Sequence, residues 1–145
     1  MSFLLHTTIA LLIVTLLPHH LWLALLLAFL SHWILDVIPH YTLPPTVSKK
    51  ITIILGIIDL TSAAALTAFF IIFVSPISIP FTIGAALLAI SPDFFYIIDI
   101  LWGKKFLESI FFDWHTKIQN EYPWAWVIEL IFFGIITFLL FARLV

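Results

Sequence analysis

The chain has 145 residues, 63% of them hydrophobic and 10% charged, with a formal net charge of −2 and a mean hydropathy of +1.23. A soluble domain carries roughly 45–50% apolar and about 25% charged residues, so this composition excludes that class, as well as disorder, coiled coil and collagen. The slight negative charge offers no footprint for nucleic acid, and the absence of cysteine excludes disulfides, thiolate ligands and thiol catalysis. The expected class is an integral membrane protein, with residues 1–145 forming one all-α bundle.

Apolar runs of about 20 residues mark membrane spans, and shorter runs are accepted where polar turns flank them. Span 1 covers about 2–17. It has no basic start and no small-residue cleavage pattern, so it reads as a retained span rather than a signal peptide. Pro18-His19-His20 turns the chain into span 2, about 21–38. Residues 39–50 form a loop, because Pro39, Pro44 and Pro45 each bias the preceding residue away from helix. Span 3 is expected at about 51–74 and span 4 at about 81–102, with a turn at 75–80 between them. Leu107, Ile110, Phe111, Trp114 and Ile118 then recur at helical spacing opposite charged residues. That pattern predicts an interfacial amphipathic helix over about 105–121. Span 5 follows at about 124–143, giving five transmembrane helices plus the interfacial one.

Lys49, Lys50, Lys104, Lys105 and Lys117 all fall in loops on one side, and only Arg143 lies on the other. The positive-inside rule makes that side cytoplasmic and places the N-terminus inside. Measured at 1.5 Å per residue from the inner ends, His6 lies roughly 8 Å deep, His32 about 10, Asp36 about 4 and Asp59 about 12. On the same scale Asp93 is near 14 Å, Asp99 near 5 and Glu129 near 7. Ionisable groups inside a bilayer are costly and face the bundle interior. Their confinement to the cytoplasmic half predicts one shared polar chamber.

The sharpest motif is Ser31-His32-Trp33-Ile34-Leu35-Asp36-Val37-Ile38-Pro39-His40. His32 and Asp36 stand one turn apart on one helix face, a spacing that chelates a divalent ion or simply satisfies two buried polar groups by pairing. Pro39 ends the helix and leaves His40 just below. Pro92 is expected to kink span 4, with Asp93 on the inward side of the kink. His115 on the interfacial helix, and the deep carboxylate Asp59, are further candidates as ligands or acid/base groups, with His6 or a metal as partners for Asp59. With no thiolates, a metal site must use imidazole and carboxylate, which suits zinc foremost, then manganese or iron(II). The alanine-rich stretches 63–65 and 84–86 are read as close helix contacts.

Taken in order, His6, the Ser31–His40 segment, Pro92-Asp93 and His115 resemble a family. It comprises the small inner-membrane proteins described as membrane-bound metal-dependent hydrolases. Those proteins pair an N-terminal histidine with a Pro-Asp element and later histidines in a bundle of short spans. The resemblance covers most of the chain. It departs where Asp93 is followed by Phe94 instead of Asp-His, and where His115 stands alone in place of a histidine pair. It implies a hydrolase of a bacterial or archaeal cytoplasmic membrane. In the expected arrangement His6, His32, Asp36 and Asp93 hold one or two divalent ions, with His40, Asp59 and His115 as catalytic groups. A chamber open to one leaflet points to a membrane lipid or lipid-linked ester or phosphoester as substrate. The alternatives are a proton or metal-ion transport protein using the same acids, and a scaffold whose polar groups fix helix register.

Overall fold

The computed structural model describes residues 2–41, 43, 46–74, 77–102 and 117–142, and for 95–102 the backbone alone. Five helices appear in these residues and no strands: α1 Phe3–Leu16, α2 Leu21–Val37, α3 Lys49–Phe73, α4 Ile79–Trp102 and α5 Trp126–Ala142. Of these, α3 is long and apolar enough to cross a membrane. The helices α1, α2 and α5, and the Ile79–Phe94 stretch of α4, are apolar but shorter. Of the interfacial helix expected at 105–121, residues 105–116 lie outside the described residues; of the rest, 117–118 are helical and 119–121 are not.

Local chemistry sets the helix ends. Ser2 caps α1 by accepting the Leu5 N–H, and Ser48 caps α3 by accepting the Ile51 N–H. Ile38, held extended at φ −73° and ψ 137°, ends α2 because Pro39 follows it. α4 continues as helix through Pro92. A proline withholds the N–H that would reach the carbonyl four residues back, here that of Leu88. The Ser91 hydroxyl donates to that carbonyl at 2.9 Å and replaces the missing bond.

α1 is the hub. Its face carrying Ala10 and Val14 packs with Ala24 and Ala28 of α2 and with Ala85 and Ala89 of α4, all fully buried. Its face carrying Leu11 and Leu12 packs with Phe70 of α3 and Leu140 of α5. Small side chains let the backbones approach closely at these contacts. The exterior remains apolar, with Trp22, Ile72, Phe73 and Phe138 more than two-thirds exposed. Such continuous apolar cover exceeds what monomeric soluble proteins expose.

Candidate metal centre

The alanine seam determines where the polar groups meet. Ala10, Ala28 and Ala89 each lie one helical turn from His6, His32 and Asp93 respectively. The faces that bring α1, α2 and α4 together in the core therefore also bring these three side chains together beside it. Asp36 joins them from the next turn of α2.

His6, His32 and Asp36 are completely buried, and one ligand atom from each lies within 4.8 Å of the others. His6 Nε2 is 3.4 Å from Asp36 Oδ1, and His32 Nε2 is 3.2 Å from Asp36 Oδ2. Asp93 Oδ1 stands 3.6 Å from His32 Nε2, and this side chain is 15% exposed. The two imidazoles stack, with ring centroids 4.3 Å apart and planes 20° apart.

The tautomer of His32 follows from its other nitrogen. Nδ1 lies 2.8 Å from the Ala89 carbonyl, an acceptor only, so Nδ1 carries the hydrogen and donates it. Nε2 of the neutral ring then turns its lone pair toward two carboxylates. A lone pair beside two anions needs a cation or a proton between them. His6 is stricter still. Neither ring nitrogen has a well-aligned hydrogen-bond partner among the described residues, although the ring is fully buried. Buried polar atoms are rarely left in that state. Two imidazole nitrogens and a carboxylate, with a second carboxylate beside them, fit a divalent ion of the zinc, manganese or iron(II) kind in donor type and charge. The donor set does not select among these ions.

Asp59 and His40, the other described candidates, have partners of their own. Asp59 accepts the backbone N–H groups of Phe3, at 2.6 Å, and Leu4, at 3.1 Å. Its partners among the described residues are thus the N–H groups at the open N-terminus of α1. Helix N-termini present unsatisfied N–H groups and attract carboxylates. His40 is buried, with Nδ1 3.0 Å from the Ile38 carbonyl and Nε2 3.8 Å from Glu121 Oε1. Its backbone pairs with 120–122: His40 N–H reaches the Asn120 carbonyl, Tyr122 N–H the His40 carbonyl, and Asn120 N–H the Asp36 carbonyl. His40 therefore fastens the end of α2 to the segment leading into α5. Glu129 accepts the Tyr41 N–H at 3.2 Å. His115 lies outside the described residues, as does the Asp99 side chain.

Comparison with family models, with curated proteins and with solved structures finds no match to this chain. The candidate metal centre thus rests on its own geometry. The sequence reading missed the Ala89 carbonyl, which orients His32, and Thr7, whose hydroxyl is buried without a hydrogen-bond partner among the described residues. Thr7 carries no sequence signal, but the alanines one turn from each cluster residue do mark the shared face.

Proposed function

We propose that the chain is a polytopic membrane protein whose five helices cross the bilayer. In this reading it is a metal-dependent hydrolase of the resembled inner-membrane kind, acting on a lipid ester or phosphoester at the cytoplasmic leaflet. The observation carrying this reading is the fully buried His6, neither ring nitrogen well hydrogen-bonded among the described residues, against Asp36 and the stacked His32. The apolar exterior and the chain's composition support the membrane setting.

His6, His32 and Asp36 hold the ion, with Asp93 completing or flanking the set. When bound, a divalent ion supplies Lewis acidity, lowering the pKa of water and polarising an ester oxygen. The chain's own groups do the rest. The Ala89 carbonyl locks His32 in one tautomer and one ring orientation. Asp36 faces both imidazoles and fixes their separation. Asp93 is the one cluster member reached from outside, so it meets the substrate first and is placed to accept a proton from attacking water. The apolar helices around the cluster exclude bulk water, which strengthens each of these interactions.

The test uses purified protein in lipid vesicles, loaded separately with zinc, manganese and iron(II), against phospholipid ester and phosphoester substrates. Hydrolysis by the wild type that is lost in the His32→Ala/Asp36→Ala double variant supports the reading. Equal turnover in both proteins, or none with any ion, overturns it.

A further inference from the structure

A second feature lies beside the metal centre and outside its ligand set. Between α3 and α4 runs an apolar groove of about 290 Å³, floored by Thr7 of α1. Ala63, Ala64 and Ala68 of α3 face Ala86 of α4 across it, and these short side chains leave the space open. Its rim on α4 is formed by Ile83, Leu87 and Phe94, all exposed, so the groove opens sideways toward whatever surrounds the bundle.

Three observations define its occupant. The first is length: the lining runs from Leu60 to Ile71 on α3 and from Ile83 to Phe94 on α4. At 1.5 Å per residue each wall is about 16 Å long, close to half of a hydrocarbon core of about 30 Å. That is the depth of one leaflet. The second is level: Asp59 holds the first N–H groups of α1, so the Leu60 end of the groove starts beside the first turn of α1, next to the cluster. Ile90 and Phe94 line the same end and flank Asp93 along α4. The third is polarity. The wall is apolar except for threonine hydroxyls. Thr67 spends its hydroxyl on the Ala63 carbonyl, whereas that of Thr7 is 1% exposed and without a hydrogen-bond partner among the described residues.

The geometry points to a groove for a single ester-linked acyl chain of a membrane lipid, with the tail between α3 and α4 and the ester oxygen hydrogen-bonded to the Thr7 hydroxyl, next to His6. A flexible tail fills a long apolar slot that protein side chains leave empty, and packed interiors tolerate few such voids. An unpaired buried hydroxyl asks for one acceptor at one end, which an ester supplies. The inference rests on the hydrolase reading only for the reaction at the ester. Occupancy of the groove is a separate property of the fold.

The probe is a diester phosphatidylglycerol carrying a diazirine in one acyl tail, photolysed in phosphatidylethanolamine vesicles containing the full chain, with labelled positions mapped by peptide mass spectrometry. Labelling is expected to concentrate on Ala64, Ala68 and Leu87 above the level at the outward-facing Ile57 and Phe138. It persists in the His32→Ala/Asp36→Ala variant, so loss of the metal centre leaves this result intact. Ala64→Phe fills the slot and reduces groove labelling to the level of Phe138; Ala68→Leu serves the same purpose if the first variant does not fold. Thr7→Val is isosteric and lowers labelling by the diester about twofold to tenfold, the effect of one hydrogen bond, while leaving a diether analogue unchanged. Uniform labelling of grooved and outward faces overturns the proposal. So does chain-to-chain cross-linking from a photoreactive phenylalanine analogue placed at Ala64, which assigns the groove to a second copy.

Discussion

Asp59 separates a structural carboxylate from a catalytic one. Its two oxygens accept the Phe3 and Leu4 N–H groups, tying α3 to the start of the hub helix across more than fifty residues of sequence. Replacing it with alanine removes two charge-assisted hydrogen bonds, worth about 1.5–3 kcal/mol each, and a favourable helix-terminus charge of about 0.3–1 kcal/mol. The first turn of α1 is only half-buried, so water recovers part of this loss. A net destabilisation of about 2–4 kcal/mol is expected for Asp59→Ala, and about half as much for Asp59→Asn, which keeps one acceptor. The assay is unfolding by sodium dodecyl sulfate titration in mixed micelles, followed by far-ultraviolet circular dichroism. Metal content is measured in parallel and is expected to stay at the wild-type level. A stable Asp59→Ala protein that has lost its metal refutes this assignment and returns Asp59 to the site.

Other consequences follow from the same contacts. Ser91→Ala leaves the Leu88 carbonyl without its substitute donor and costs about 0.5–1.5 kcal/mol, but almost nothing in a Pro92→Ala background where the backbone N–H is restored. A double-mutant cycle by the same titration reads that coupling, and additivity contradicts it. Ala28→Leu overpacks the seam between α1, α2 and α4 and destabilises by about 1–3 kcal/mol. It also weakens metal binding, because His32 lies one turn away; unchanged affinity in a destabilised protein separates seam from site. Adding zinc at roughly 100 times its Kd stabilises the wild type by about 2.7 kcal/mol and leaves His32→Ala/Asp36→Ala unmoved, as unfolding with and without chelator will report.

Helix positions were largely readable because apolar runs, prolines and capping serines act locally. The expected spans 21–38 and 81–102 match α2 and α4 within two residues at each end. Pro39 stops α2 through the residue before it, as the sequence implies. The pairing of His32 with Asp36 was readable from their spacing alone. The convergence of His6 and Asp93 on that pair depends on helix rotation, which depth along a span does not encode. The alanines that set the rotation, Ala10 and Ala28, lie in the sequence but carry meaning only once α1 is known to be central. The contacts of Asp59 are not legible in the sequence for a different reason. Its partners are backbone N–H groups, which leave no trace in residue identity. The depth scale failed there too, since α3 begins well before the level at which α1 starts.

The central claim is that His6, His32 and Asp36 hold a divalent ion. Elemental mass spectrometry of detergent-purified protein, beside the His32→Ala/Asp36→Ala variant, measures this without reference to any substrate. The expected result is near-stoichiometric zinc, manganese or iron in the wild type and none in the variant. Equal metal in both proteins, or none in the wild type after reloading with each ion, contradicts it.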